Sequence, residues 1–508
     1  MSYATVQSCT LSGIAALPVT VEVHVGGGLP GMSIVGLPQS AVRESKDRVK
    51  AAILHADLKY PMVKIVVNLA PADLPKQGGR FDLPIALGVL VATGQLPHNA
   101  LNKLVVVGEL GLMGQIRAVS GALPTALAFS QVDCGLLMPM ANRAEASRSA
   151  RTKLYLADDL RDLYEDIKKT RLEANSRYTG AANVNSKQQL VTTDMSDVRG
   201  QTHARRALEI AAAGAHNLLM VGPPGTGKSM LASRMPGIQP VMTMKESMES
   251  ASVQSISHAG FNDDNWGCRP FRSPHHTASG VALVGGGVKP MPGEISLAHN
   301  GVLFLDELSE FPRAVLDVLR EPMETGRINI SRAARQSAFP ARFQLVAAMN
   351  PCPCGYYGDP DIQCRCTPDQ IVRYGMRVSG PFLDRIDLHV QVQRITQGII
   401  QTDACSESSS VIRKRVSRAR EKQLKRQGEV NRSLSGKALA AHVQLNDESQ
   451  QLLNDAAEKM VLSLRAVHRV LRVARTICDL DEGKVVMTQH IVEALSYRQR
   501  RSHGDAHE

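Results

Sequence analysis

The chain has 508 residues, 43% hydrophobic and 21% charged, with 59 Lys/Arg against 48 Asp/Glu and a net charge of +11. That length exceeds what one core holds and points to two or three domains. No apolar run reaches the roughly 18 residues of a membrane helix, and an aromatic content of 4% leaves few rings for broad base-stacking platforms. The basic balance fits a polyanionic partner as well as plain solubility. Nine cysteines, an odd count behind an N-terminus without a basic leader, fit a reduced cytoplasmic compartment better than a disulfide framework.

From Thr5 to Leu160 short apolar runs alternate with helical ones. "VTVEVHV" (19–25) and "KIVVNLA" (64–70) read as strands, and "SAVRESKDRVKAAILHA" (40–56) carries apolar residues at helical spacing. Glycine-rich "GGGLPG" and "KQGGRFD" punctuate what is expected to be a compact α/β unit. Residues 171–193 are polar and aperiodic, as in a linker. A second α/β pattern begins at Asp194. "NLLMVGPPGTGKSMLASRM" (217–235) predicts strand, tight turn and helix, while "GVLFLDELSEF" (301–311) and "FQLVAAMN" (343–350) predict further buried strands. After about residue 395 strand runs disappear and the chain reads as helical.

"GPPGTGKS" (222–229) matches the phosphate-binding pattern G-x-x-x-x-G-K-[ST] in the context that pattern requires, after an apolar strand and at the start of a helix. Glycines let backbone N–H groups approach phosphate oxygens, and a helix N-terminus favours the anion. Gly222, Pro223, Pro224, Gly225, Thr226, Gly227, Lys228, Ser229 and Met230 are therefore the candidate ATP-binding residues. Lys228 would reach the outer phosphates and Ser229 would ligate magnesium. In "VLFLDE" (302–307) Asp306 can hold the magnesium shell and Glu307 can polarise the attacking water. Asn350, at the end of the next apolar strand, can touch the γ-phosphate or that water.

Directly after Asn350 stand Cys352, Cys354, Cys364 and Cys366, spaced C-x-C, nine residues, C-x-C. Two close thiol pairs in a polar loop suit tetrahedral zinc acting as a staple. Reduced, unliganded thiols are the alternative. A staple there would also offer Arg365 and Arg373 to a neighbouring subunit or to DNA.

Together, "GQTHARRALEIAAAGAHNLLMVGPPGTGKSMLA", "RPFRSPHHTAS", "PGEISLAHNGVLFLDEL", "NPCPCGYYG" and "SGPFLDRIDLHV" resemble the magnesium-chelatase-like branch of the AAA+ ATPases, the bacterial ComM/YifB family, over essentially the whole length. The resemblance implies an α/β fold: an AAA+ P-loop domain (194–395, with a zinc loop at 350–366) and a basic linker with helical lid (396–508). Before the linker it implies a Lon-protease-like domain of the ribosomal S5 domain 2-like type (1–170). It implies that Asn350 is sensor 1, Arg465 sensor 2, and Arg385 an arginine finger reaching the ATP of a neighbour in a homo-hexamer, with Val198 and Gly200 beside the adenine. A Lon-type peptidase needs a Ser–Lys dyad. Neither Ser120 nor Lys76 occupies the motif positions, so the N-terminal unit is expected to lack peptidase activity.

For function, the resemblance implies an ATP-driven motor on single- and double-stranded DNA, recombinase-bound DNA included. It would promote branch migration of recombination intermediates in natural transformation, with a protein- or cofactor-remodelling ATPase as the rival. The stretch "GRINISRAARQSAFPARFQ" (326–344) reads as two short strands with a basic tip, where helicases of the minichromosome-maintenance type carry a pore hairpin. Arg332 and Arg335 would grip phosphates there. Residues 411–432 hold nine Lys/Arg against two Glu and offer a basic helix face. His275 and His276, side by side, are poorly arranged to share a metal and are expected to be satisfied loop histidines.

Overall fold

A computed structural model describes residues 2–174, 193–287, 290–332, 335–394 and 407–498, with the side chains of 331–336 outside the description. The chain divides into two compact units. One comprises the described residues of Met1–Asn183 with Met248–Trp266 and Ser331–Phe339, and the other the remainder.

The N-terminal unit is built on a seven-stranded mixed sheet, in the order Gly31–Val35, Lys64–Ala70, Ala15–Gly26, Ser2–Ser12, Leu104–Val106, Gly135–Pro139, Lys153–Ala157. The first hairpin is a long antiparallel ladder from Ser2↔Val25 to Ser12↔Ala15, whereas the last three strands run parallel. Side chains alternate across a strand, and here both faces are covered. Val106 and Leu137 enter the cluster that holds helix Asp82–Ala92. Val105, Leu136 and Met138 enter a second cluster with Ala122 and Ala126. Every residue of Asp82–Ala92 is buried. This explains why that stretch shows no amphipathic period: it has no solvent face.

The second unit carries a five-stranded, all-parallel sheet in the order Phe271–Arg272, Val302–Leu305, Gln344–Met349, Leu218–Val221, Leu388–Gln391. Parallel strands buried on both faces read as continuous apolar runs, as "LLMV", "VLFL" and "QLVAAM" do. Helix Thr202–Gly214 packs on the sheet through Ala207, Leu208 and Ala211. The C-terminal helices Ser409–Gln427 and Leu464–Leu480 complete the same core through Val416, Ala419, Val470 and Ile477. With the further helices Gly436–His442, Asp447–Lys459 and Thr488–Ser496, every named element among the described residues 407–498 is helical. Among the described residues no helix is long and apolar enough to cross a membrane.

The basic stretch 411–432 differs from a simple solvated face. Five of its arginines turn inward, among them Arg432, which donates to Phe343 O and Met323 O, each at 3.2 Å. Arg413 donates to Gly237 O at 2.7 Å, and Arg420 to Ala212 O and Ala213 O at 2.6 and 2.9 Å. Arg415 pairs with Glu209 at 2.6 Å and Arg426 with Asp479 at 2.7 Å. The long aliphatic stems let the charged heads reach carbonyls and carboxylates behind the helix. Lys414, Arg418 and Lys425 remain exposed.

Candidate functional site

In a parallel sheet every strand delivers its C-terminal end to the same edge, which is where such folds bind ligands. The register pairs Val221 with Met349 and Leu305 with Ala347. Gly222, Asn350 and Asp306, the residues that follow the three strands, therefore emerge side by side. The Gly222 N–H donates to Met349 O at 3.2 Å, which fixes the start of the turn.

The turn itself needs left-handed backbone at Gly225 (φ 75°) and Gly227 (φ 85°), a conformation glycine adopts without steric cost. Thr226 Oγ1 donates to Pro223 O at 2.9 Å and tightens it. Lys228 begins helix Lys228–Ser233 and folds back: its Nζ donates to Gly222 O, Pro223 O and Asn350 Oδ1 at 2.7, 2.8 and 3.2 Å. Burial pulls the Lys228 ammonium below its ordinary pKa, and the charge of Asp306 works against that fall. Ser229 Oγ donates to Asp306 Oδ2 at 2.6 Å, so the two oxygens expected to take magnesium are in direct contact. Met230 is exposed at the same rim.

Glu307 follows in a left-handed conformation (φ 53°), its N–H donating to Asp306 Oδ1 at 3.0 Å. Its carboxylate is met by His276 Nδ1 at 2.9 Å. Of the histidine pair, His275 is satisfied locally by Thr277 (2.8 Å), and His276 belongs to the strand-end cluster. The segment holding Val198 and Gly200 lies against the turn. Val198 is buried, Gly200 has φ 63°, and the next residue, Gln201, donates to Thr226 O and Gln393 O at 3.4 and 2.6 Å.

Arg385 sits elsewhere. Its guanidinium donates to Pro381 O and pairs with Glu324, each at 2.6 Å. Its carbonyl accepts from Asn217 Nδ2 at 3.0 Å. Buried Asn217 also takes Leu345 N–H on Oδ1 at 3.0 Å and gives its own N–H to Asp387 at 3.1 Å, tying the Arg385 segment to two strands. Arg465 is exposed in the first turn of Leu464–Leu480. Arg332 and Arg335 fall on strands Arg327–Arg332 and Arg335–Pro340 of a two-stranded hairpin, with side chains outside the described residues.

The four clustered cysteines converge. Cys352, Cys354 and Cys364 lie 3.4–3.7 Å apart, sulfur to sulfur, and the four sulfurs lie within 4.8 Å of one another. Those separations are far beyond a disulfide bond. They are close to the edge, about 3.8 Å, of a tetrahedron with zinc–sulfur bonds of about 2.3 Å. The Arg365 and Tyr356 N–H groups aimed at Cys354 bring its thiol down to about 6. At Cys364 the Cys366 N–H works in the same downward direction, but burial and the neighbouring sulfurs outweigh it and push that thiol up to about 12. Four packed sulfurs thus resist shared ionisation, and a divalent cation removes that conflict. The donor set fits zinc. Sequence reasoning missed Glu324 and Asn217, whose partners Arg385, Leu345 and Asp387 are remote in the chain.

Profiles for magnesium chelatase subunit ChlI match residues 194–400 and 21–142, and the profile for the ChlI C-terminal region matches 406–498. The chain is 49% identical over 502 residues to competence protein ComM of Haemophilus influenzae, covering 98% of both chains. It is 46% identical over 500 residues to the uncharacterized protein YifB of Escherichia coli, covering 98% of this chain and 97% of that one. A shorter match, 23% over 189 residues, joins 37% of this chain to 18% of DNA replication licensing factor mcm6 of Dictyostelium discoideum. With such identity running end to end, and a ChlI profile over the strands that build the turn and its acidic partners, the chain belongs to the ComM/YifB family of magnesium-chelatase-like proteins.

Proposed function

We propose that this chain is an ATP-hydrolysing AAA+ motor that assembles as a homo-hexamer and drives branch migration of D-loop and Holliday-type DNA intermediates, acting in natural transformation. The observation that carries the ATPase reading is the convergence of Lys228, Ser229, Asp306 and Asn350 through direct hydrogen bonds at the ends of three adjacent strands. The name of the Haemophilus relative, a competence protein, supports the setting, and that of the replication licensing factor supports DNA as substrate.

When bound, magnesium and ATP supply the phosphoanhydride and neutralise charge developing on it. The chain's residues do the rest. The Gly222–Ser229 turn presents N–H groups to the phosphates, and Lys228 exchanges its two carbonyl partners for phosphate oxygens. Ser229 and Asp306 would hold the metal, Glu307 would take a proton from the attacking water, and Asn350 would hold that water in line. Val198 and Gly200 border the base. Arg385 leaves Glu324 to serve the neighbouring subunit, Arg465 acts from the lid, and Arg332 and Arg335 contact DNA phosphates. Cys352, Cys354, Cys364 and Cys366 would hold a zinc ion, and the loop behind Asn350 would be braced by it. The N-terminal unit is a Lon-like domain without peptidase activity, since neither Ser120 nor Lys76 occupies a position of the Ser–Lys dyad motif.

The second reading, a magnesium-chelatase-like or Lon-like remodelling ATPase, is favoured by the ChlI profiles alone. ATP-dependent movement of a synthetic Holliday junction or D-loop, with Glu307→Gln as control, separates the two. Movement that needs Glu307 is expected. ATPase activity without DNA stimulation or branch movement would support the remodelling enzyme instead.

A further inference from the structure

We propose that Asn217 is a positioning residue for hydrolysis between subunits: its side-chain amide holds the stretch of backbone from which Arg385 projects. The inference rests on the ATPase reading above, with Arg385 as the finger, and adds to it a buried residue at the far end of the strand that carries the phosphate-binding turn.

Asn217 stands immediately before strand Leu218–Val221, whose other end opens into Gly222. It is 1% exposed, so its polar groups need partners inside the protein. The main chain starts the parallel ladder with Leu388–Gln391. Asn217 O accepts the Asp387 and Leu388 N–H groups at 3.1 and 3.0 Å, and its own N–H goes to Asp387 Oδ2 at 3.1 Å. The side chain serves other segments. Oδ1 accepts the Leu345 N–H at 3.0 Å, near the start of the strand that ends before Asn350, and Nδ2 donates to Arg385 O at 3.0 Å. An N–H only donates and a carbonyl only accepts, so these two partners fix which way the amide lies. One planar group thus sets the finger's backbone against the two strands that deliver Gly222 and Asn350. From Asn217 to Gly222 that strand spans about 16 Å. The finger is therefore anchored at the edge of the sheet opposite its own subunit's phosphate turn, in keeping with a group that serves a neighbour's site.

The Arg385 segment has little else to fix it. It leaves Gly380–Leu383, a single helical turn closed by Asp384 N–H to Gly380 O and Arg385 N–H to Phe382 O. The guanidinium is held by Pro381 O of that same turn and by exposed Glu324, both of which it must leave to reach a neighbour's phosphate. Asn217 Nδ2 is then the polar contact that ties Arg385 itself to the sheet. Position matters because an arginine stabilises phosphoryl transfer only where charge develops, and a displacement of about 1 Å costs on the order of a hundredfold in rate. The amide is also chemically specific. A carboxylate in its place keeps the acceptor for Leu345 but sets oxygen against oxygen at Arg385. It would also stand beside a buried charge. Burial works to raise the Asp387 carboxyl, yet His216, Arg432 and the Asn217 N–H together hold it well below the usual carboxylate range. A methyl group leaves the Leu345 N–H and the Arg385 carbonyl without their partner.

The test uses the full-length protein with magnesium and ATP, comparing Asn217→Asp, Asn217→Ala and Arg385→Ala. Both Asn217 variants are expected to lower kcat by about tenfold to a hundredfold, while the affinity for a fluorescent ATP analogue stays within about twofold of wild type. Mixed with Lys228→Ala, each should regain partial activity, because hybrid sites pair the intact phosphate turn of one subunit with the intact finger of the next. Mixed with Arg385→Ala, neither should gain, since both partners then fail on the same side of the shared site. Asn217→Ala carries the same test if the buried charge of Asn217→Asp prevents folding. A wild-type kcat in Asn217→Asp beside an inactive Arg385→Ala overturns this proposal alone, and a loss confined to Asn217→Ala assigns the effect to Leu345. A loss accompanied by weakened nucleotide binding, a loss that Lys228→Ala does not complement, or failure of both variants to fold marks a purely structural role and overturns it as well. Wild-type hydrolysis in Arg385→Ala overturns the finger reading, and this inference with it.

Discussion

Gly355 links the cysteine cluster to the phosphate-binding turn, and replacing it with alanine should weaken nucleotide binding. It follows Cys354, has φ +87°, and donates its N–H to Cys352 O at 3.0 Å. A Cβ at this position would stand 2.7 Å from Pro224 Cδ and 3.3 Å from Pro224 Cγ, well inside carbon–carbon contact distance. The left-handed backbone costs a non-glycine residue of order 1 kcal/mol or more, and the overlap about 1–3 kcal/mol more. Either the cysteine loop yields or Pro224 does. With four thiolates on a metal the loop is the stiffer body, so the displacement falls on Pro224 and the turn beside Lys228. If about 2 kcal/mol appears there, affinity for ATP drops about thirtyfold. Titration with a fluorescent ATP analogue reads this, alongside elemental analysis for zinc. Freeing the loop with Cys364→Ser should shrink the effect of Gly355→Ala to a few-fold, although that variant alone loses metal. Wild-type affinity in Gly355→Ala, with full zinc content and an unchanged Tm, would refute the idea that the loop bears on the turn.

Two other outcomes can be checked. Burial, reinforced by the charge of Arg498, pulls the His389 imidazole down to about 4. An unfolded histidine takes its proton near pH 6.5 while the folded one refuses it until about 4, so this contribution is full above 6.5 and is lost as pH falls through that window, at most about 3 kcal/mol. His389→Gln should flatten the urea-midpoint profile between pH 7 and 4, and an unaltered slope would count against it. Arg385→Ala should abolish hydrolysis while leaving nucleotide binding intact, and mixing it with inactive Lys228→Ala should restore partial activity through hybrid sites. A mixture no more active than its components would exclude a finger acting between subunits.

Much of the candidate site is legible in the sequence because strand ends are abrupt. "LLMV" gives way to glycines, "VLFL" to Asp306–Glu307 and "QLVAAM" to Asn350, and the parallel register then brings the three ends together without further information. The cysteine spacing is likewise local. Other features are tertiary. Asp82–Ala92 is apolar on every side, so no period marks it as a helix. Phe271–Arg272 is a two-residue strand whose apolar signal is too short to read. The inward turn of Arg413 and Arg420 is invisible to charge counting, since the same spacing describes a stripe facing water. The sequence sets His276 beside His275, whereas its partner Glu307 follows the next strand of the sheet. Nothing in the sequence near Met248–Trp266 or Ser331–Phe339 signals that they cluster with the N-terminal unit.

These contacts give the site a consistent physical logic. Groups at the strand ends are held partly by one another and partly by residues from other excursions of the chain. Lys228 is capped by Asn350, Pro224 is backed by Gly355 of the cysteine loop, and Glu307 is met by His276 of the 273–293 arm. Arg385 is anchored through Asn217 to the starts of two of the same strands, while its guanidinium is occupied by Glu324, one residue before the Thr325–Gly326 corner that leads into the hairpin. A close-packed interior does not deform continuously. A shift in any one of these loops is therefore felt at a defined atom of the strand-end cluster, and a change at the cluster is felt in turn by that loop. In the motor proposed above, reciprocity of binding free energies would link nucleotide binding to a bound polymer through these excursions, with the strand register as the fixed frame against which they work.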